Sequence, residues 1–502
     1  MHLRMLPSGI EFHSQLDDAG LMATRIISAS SLLRRLGSWR QATVGPAYQA
    51  LAVGLRLLIL DGRLPLAVRL PGERSLAKAL GISRTTVSAA FAQLENDGFV
   101  QKHERSGALT ALPSASSRGG ALLTHDRESG VIDFATATMP AGPQVHAAYA
   151  KALAALPAYF PGHGYEPLGC REFREAVAER YRREGLATSC NHVMATHGAQ
   201  NGLALLLRTF VRPLDRVLID HPTYPNAIDA ILAAGCRPLP VPLTPSGWDD
   251  EAIMAAMRGE APRLAYIIAD HHNPTGLVMQ ATTRQRLTTQ ATGSDTIIVY
   301  DETMRDLWLG NEPGFPKPQD AHHIVRLGSM SKSFWGGLRI GWIRAHPDLI
   351  KKLVEARASL DLGVPILEQL AAAELLLDDG GALDARRTLL RGRCDYLLGI
   401  VRDALPSWRA HRPEGGLSLW AELPRPIATG LGDKCGELGL HLAAGPRFGI
   451  GGAFERFIRL PFTLPGKEMA RAVSILANVY RPDHSTGRPN YRNRSRDVAD
   501  FY

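Results

Sequence analysis

Cysteine is scarce: five residues in 502, at positions 170, 190, 236, 394 and 435, with no CxxC pair among them. An odd, scattered set argues against a disulfide framework and against a zinc site, and fits a reducing, cytoplasmic setting. No apolar run approaches the ~18 residues of a membrane span, so no membrane partner is expected. The first thirty residues hold Glu11, Asp17 and Asp18 and lack a compact apolar stretch, so they do not read as a secretory signal. Neither sign of charge dominates: 57 Lys and Arg stand against 49 Asp and Glu, a net charge of +8. That balance permits a nucleic-acid partner without establishing one. With 45% hydrophobic and 21% charged residues, a mostly disordered chain is excluded. The length corresponds to about three units at ~150 residues each, ample for a large core.

Four stretches precede the tail. Residues 1–40 are weakly patterned and read as an N-terminal extension, with Met5 and Met22 as candidate alternative starts. Residues 41–112 carry helical periodicity. Residues 113–131, PSASSRGGALLTHDRESGV, are rich in Ser, Gly and Ala and read as a flexible linker. A flexible segment of that length has an r.m.s. reach of roughly 24 Å. Residues 132–482 alternate apolar strands with amphipathic helices. Residues 483–502, with Arg488, Arg492, Arg494 and Arg496, read as a disordered tail.

In the 41–112 stretch, Tyr48, Leu51, Leu55, Leu58 and Ile59 mark one helix face. A short helix is expected over 75–80, packed through Leu76 and Leu80, with a turn at Gly81. Ser83 is a good N-cap for the next helix, in which Val87, Ala90, Phe91 and Leu94 share a face. Its first turn presents Arg84, Thr85 and Thr86 to solvent, as a helix-turn-helix requires. Residues 99–112 then alternate as a two-stranded wing with Arg105, Ser106 and Gly107 at the tip. The stretch carries only eight Lys and Arg against five Asp and Glu. LPGERSLAKALGISRTTVSAAFAQLENDGFV nevertheless resembles the winged helix-turn-helix of the GntR family. The resemblance implies that Arg74 and Arg84 contact DNA, that Ser83 caps a recognition helix carrying Thr85 and Thr86 into the major groove, and that Arg105 and Gly107 bring the wing to the minor groove.

The alternation over 132–482 predicts an α/β fold with a mostly parallel sheet, whose functional residues lie at the carboxyl ends of strands. RLAYIIADHHNPTG runs a strand into a turn at Asn273, Pro274, Thr275 and Gly276. TIIVYDET places Asp301 at a strand end. IVRLGSMSKSFWGGLRIGW leads to Ser329 and Lys332, with Arg339 seven residues on. THGAQNGLALLLRTF opens a helix at Ala199 and Gln200, whose backbone N–H groups suit a phosphate. Together these resemble the fold-type I aminotransferases, which use pyridoxal 5'-phosphate. The resemblance assigns Lys332 to an internal aldimine with the cofactor and Asp301 to the pyridine nitrogen. It assigns Asn273 to the ring hydroxyl, and Ser329, Arg339, Ala199 and Gln200 to the phosphate. Tyr224 stacks on the ring, Tyr165 reaches the neighbouring subunit's phosphate, and Arg459 forks onto a substrate or effector carboxylate. One position departs from the pattern: where many relatives carry a tyrosine shortly after the strand-end Asp, this chain has Thr303 and Met304, which puts catalytic competence in question.

A GntR-like head on an aminotransferase-like domain resembles the MocR subfamily of bacterial transcription regulators. SKSFWGGLRIGW is similar to that group's pattern, with Gly336 where proline is common. The implied protein is a cytoplasmic homodimer that binds a double-stranded DNA operator. It senses an amino compound, or the cofactor itself, through the Lys332 aldimine. The rival readings are a working aminotransferase with a DNA-binding head and a dimerisation scaffold without cofactor. The adjacent pairs His271–His272 and His322–His323 show no metal-ligand spacing and read as structural or solvated.

Overall fold

Apolar spacing builds the N-terminal head as the sequence predicts. A computed structural model describes residues 25–37, 39–41, 46–60, 64, 68–103, 107–111, 130–311 and 321–480. The helix Ala47–Leu60 buries Leu51, Leu55, Leu58 and Ile59. The helix Glu73–Leu80 begins two residues before the expected Ser75, because Glu73 suits the positive helix start, and it ends at Gly81 with φ +64°. Ser83 caps the helix Arg84–Asn96, its Oγ accepting the N–H of Thr86 at 3.1 Å. That helix buries Val87, Ala90, Phe91 and Leu94. The strands Val100–His103 and Gly107–Thr110 pair antiparallel as the wing. Residues 104–106, and so Arg105, lie outside the described residues.

The head also reaches upstream of the expected boundary at residue 41. Ile27, Leu32, Leu36 and Trp39 join Leu51, Leu55 and Val87 in one core. The strand Arg25–Ile26 pairs parallel with Val68–Arg69, which pairs in turn with the wing. The weak pattern of 1–40 conceals this because the helix Ala29–Leu36 is short and three of its eight residues are serine or alanine-like in size, diluting the apolar period. Residues 1–24, residues 112–129, which include most of the 113–131 linker, and residues 481–502, which include the whole tail, fall outside the described residues.

The second unit, Asp126–Tyr502, holds two sheets. In the larger one the strands Ile324–Ser329, Ile297–Asp301, Leu264–Ile267, Arg216–His221 and Arg237–Thr244 lie side by side and parallel. Gly341–Arg344 runs antiparallel between Ile324–Ser329 and Val193–Thr196. Successive strand residues face opposite layers: Val217 and Ile219 join one core, Leu218 another. Both faces are covered, so every residue of the strands Leu264–Ile267, Ile297–Asp301 and Ile324–Ser329 is buried. The smaller sheet orders Arg409–Ala410, Ser418–Glu422, Phe457–Pro461, Leu440–Ala444 and Ile132–Phe134. It packs with the helices Ala382–Ala404 and Gly466–Tyr480. All five cysteines are unpaired.

Packing around the antiparallel strand is close. Gly328 lies opposite Trp342, and a Cβ added there would meet the indole at 2.0 Å. The indole is itself held, its Nε1 donating to the Tyr181 hydroxyl at 3.0 Å. Gly328→Ala should therefore destabilise the large unit by about 1–3 kcal/mol, an overpacking cost. Calorimetric unfolding of parent and variant checks this, and an unchanged midpoint would count against the packing argument.

Candidate functional site

A sheet covered on both faces opens to ligands at its strand ends. At one such end a pocket is lined by Lys332, Asp301, Asn273, Ser329, Arg339, Tyr224, Ala199 and Gln200. These residues come from six separate stretches of the sequence, and the parallel strands align their carboxyl ends to bring them together.

Lys332 stands on the one-turn helix Met330–Ser333, directly after the strand Ile324–Ser329. Its Nζ donates to the Ala137 carbonyl at 2.8 Å. Burial, then the Arg459 and Arg339 guanidinium charges, push the amine down to about 8, with Asp301 opposing them. Asp301 ends its strand, buried but lining the pocket. Its Oδ2 accepts from the Tyr266 hydroxyl at 2.5 Å and its Oδ1 from the Thr303 N–H at 2.9 Å. Burial outweighs these donors and holds the carboxyl above its ordinary value. Tyr224 is half-buried, and its hydroxyl accepts from Asn226 Nδ2 at 2.9 Å. Burial raises its phenol.

The opposite wall suits an anion. The helix Ala199–Phe210 starts after Gly198 at φ +83° and carries no side-chain cap, so its first N–H groups face the pocket end. Arg339 Nη2 donates to the His197 carbonyl at 3.0 Å. A Cβ on Gly198 would lie 3.3 Å from the same nitrogen. Ser329 Oγ accepts the Ser331 N–H at 3.2 Å. Deeper in, Arg459 donates through Nη1 to Asn273 Oδ1 at 3.3 Å and through Nη2 to the Ala135 carbonyl. Burial and the Arg447 charge push its guanidinium down to about 10. Its buried Nε has no hydrogen-bond partner among the described residues.

Tyr165 is not in this pocket. It is 57% exposed, its N–H donating to His163 Nδ1 at 3.0 Å. Sequence reasoning missed Tyr266, whose register partner Val299 lies two residues before Asp301 on the same strand face. A lone hydroxyl in the all-apolar strand LAYI is the signal that marks it. It also missed the Ala137 carbonyl, which no side chain announces. Met304 both lines the pocket and packs into the core behind it. In the head, Ser83, Arg84 and Thr85 are exposed. The Ser83 hydroxyl lies 2.7 Å from those of Thr85 and Thr86. Arg84 Nε pairs with Glu73 at 3.2 Å, while Arg74 is exposed beside it. An exposed pair of this kind is weak and yields readily to a phosphate.

The fold also assembles His322, His346 and Asp348, which their spacing does not reveal. His346 Nδ1 is already the acceptor that caps the helix Pro347–Arg357. His272 lies 3.7 Å from Asp220, and burial drives both toward their neutral forms.

Residues 133–476 match the family model described as aminotransferase class I and II, and residues 47–109 that of bacterial regulatory proteins, gntR family. Among curated proteins the chain is similar to 2-aminoadipate transaminase of Thermus thermophilus, 31% identical over 64% of this chain and 81% of that protein. It is also similar to the HTH-type transcriptional regulator YdcR of Escherichia coli, 27% identical over 82% of this chain and 94% of that one. Among solved structures it resembles LysN, the alpha-aminoadipate aminotransferase of Thermus thermophilus complexed with N-(5'-phosphopyridoxyl)-L-leucine. That likeness has a TM-score of 0.61 at 28% identity, over 72% of this chain and 96% of that one.

His271 feeds the Asn273 turn with φ +49° and is 1% exposed. Burial is the main cause that drives its imidazole down to about 4. The unfolded chain therefore binds the extra proton first, near pH 6.5, and stability is lost as pH falls from there through about 4. The contribution is on the order of 3 kcal/mol. His271→Asn, which tolerates the positive φ, should flatten the acid side of the stability profile. Urea midpoints between these pH values check it, and a variant with the parent's slope would contradict it.

Proposed function

Because the chain belongs to the class I and II aminotransferase family and carries a gntR-type head, we propose that it is a DNA-binding transcription regulator whose large unit binds pyridoxal 5'-phosphate and senses an amino compound, or the cofactor itself. The observation that carries this reading is the joining of a complete Lys332–Asp301–Arg339 pocket to a winged head in one chain. Relatives named as HTH-type transcriptional regulators, matched over 75% and 82% of this chain, support it.

The pocket's chemistry fits the cofactor. An amine lowered to about 8 is partly deprotonated near neutral pH and ready as a nucleophile. A buried Arg459 Nε with no partner among the described residues is suited to a second acceptor oxygen. When bound, pyridoxal 5'-phosphate supplies an aldehyde for a primary amine and a ring that withdraws electrons. Lys332 provides that amine. Asp301, oriented by Tyr266 and Thr303, would hold a proton at the ring nitrogen. Asn273 would meet the ring hydroxyl, Tyr224 the ring face, and Ser329, Arg339 and the Ala199 and Gln200 N–H groups the phosphate. Arg459 would orient a carboxylate on the ligand.

In the proposed homodimer Tyr165, exposed on its own chain, reaches the partner's phosphate end. Ser83, Arg84, Thr85 and Thr86 enter the major groove, Arg74 meets the backbone, and Arg105 with Gly107 approach the minor groove. A ligand alters DNA reading only through differential affinity for two arrangements of the protein. The rival reading, a working aminotransferase, is favoured by the intact Lys332, Asp301 and Arg459 set. Thr303 and Met304, standing where many relatives carry a tyrosine, weigh against it, since Met cannot donate and Thr303 is shorter. Many-cycle turnover of an amino acid and a keto acid would decide for the enzyme.

The purified protein should bind pyridoxal 5'-phosphate with a visible absorption band that Lys332→Ala lacks. No band in the parent, with DNA binding intact, would sink the cofactor reading. Arg74→Ala should weaken duplex binding and lower the slope of log K against log salt by about 1. An unchanged slope would remove Arg74 from the DNA backbone.

A further inference from the structure

Residues 135–140 follow the strand Ile132–Phe134, the first element described after the linker. Three cations from three elements grip their carbonyls. Arg459 Nη2 donates to Ala135 O, Lys332 Nζ to Ala137 O at 2.8 Å, and Arg386 Nη2 to Pro140 O at 3.0 Å. The segment's own start is braced by Asp133 Oδ1, which accepts the Ala135 and Thr136 N–H groups at 2.9 and 3.0 Å.

Neither Arg386 nor Arg459 lines the pocket, but Arg459 donates to the pocket residue Asn273, whereas Arg386 donates to backbone carbonyls alone. It sits half-buried on the helix Ala382–Ala404 and makes no ion pair among the described residues. Its fork also donates to Lys332 O at 3.1 Å and Phe334 O at 2.6 Å. A half-buried charge given wholly to backbone carbonyls is costly, and here it ties the segment to the turn that carries Lys332. The other two cations are the ones a loaded pocket recruits. On loading, Lys332 sheds a proton to solvent, its nitrogen bonds the cofactor's aldehyde carbon, and one water leaves. Ala137 O then loses its donor. A ligand carboxylate on Arg459 draws the donor from Ala135 O.

We propose that residues 135–140 form a strap latched by Lys332 and Arg459 and pinned by Arg386, a positioning residue, so that filling the pocket unlatches the strap while the pin keeps the lysine turn in place. The proposal rests on the cofactor reading above. It passes pocket occupancy, by competition for donors, to the segment that follows the strand Ile132–Phe134.

Hydrogen–deuterium exchange of peptides covering 132–142 in the full chain tests it, with the visible band read in parallel. Pyridoxal 5'-phosphate should speed exchange in 135–140 by roughly tenfold or more, the scale expected when charge-assisted bonds are lost. N-(5'-phosphopyridoxyl)-L-leucine has no aldehyde for Lys332 but brings a carboxylate for Arg459, and should speed exchange through release of Ala135 O alone. Arg386→Ala should speed exchange there in the cofactor-free protein and shift the pH midpoint of the band once loaded. Arg386→Lys, which keeps the charge and loses the fork, should do so to a smaller extent and covers the case of an unfolded alanine variant. A band with unchanged or slower exchange overturns the strap and leaves the cofactor reading standing. No band overturns both. An Arg386→Lys protein with the parent's exchange and midpoint overturns the pin.

Discussion

Everything in the large unit depends on a sheet that is buried on both faces. Along Leu264–Ile267, Ile297–Asp301 and Ile324–Ser329 every residue is buried, so a polar side chain there, such as Arg326 with Glu302, must find its partners within the protein. Chemistry is thereby confined to the rim where the parallel strands end together, and to the turns that leave it. Asp301, Ser329 and Lys332 stand where they do because the strands stop there. Tyr266 is informative: its polar atom lies inside the sheet and is tolerated because it donates to Asp301 at 2.5 Å.

The rim is held by close backbone approach as much as by side chains. A Cβ on Gly341 would lie 2.6 Å from Gly328 O and 2.7 Å from Gly198 Cα, so two strands and the Gly198 turn meet without side chains between them. Arg339, with φ +51°, adopts a conformation unusual for its type in order to aim its guanidinium at the Gly198 turn. Such positions cannot drift independently. The start of the helix Ala199–Phe210, the lysine turn and the antiparallel strand Gly341–Arg344 form one mechanical block.

Much of this arrangement is legible in the residue order, since the motifs sit on strand ends and strand ends align. Lys332, Asp301, Asn273, Ser329, Arg339, Tyr224, Ala199 and Gln200 could all be named and do converge. What escapes is of three kinds. Backbone acceptors such as Ala137 O carry no residue-type signal, because every residue has a carbonyl. Contacts between distant stretches, such as Arg386 with Pro140 O or Glu73 with Arg84, depend on three-dimensional packing that a one-dimensional period does not encode. The head's upstream limit escaped for a third reason. The strand Arg25–Ile26 has two residues and the helix Ala29–Leu36 eight, too few for a period to stand out.

The pocket is also an electrostatic imbalance. Lys332 and Arg339 line it, Arg459 lies behind it, and Asp301 is the acidic residue set among them. Field lines from these cations are focused by low-dielectric walls, which concentrates small anions at the mouth and speeds their capture. The same field does not discriminate one anion from another at a distance. Sulfate or inorganic phosphate in the surrounding solution therefore competes for the Arg339 end, and capture of any charged occupant slows as ionic strength rises.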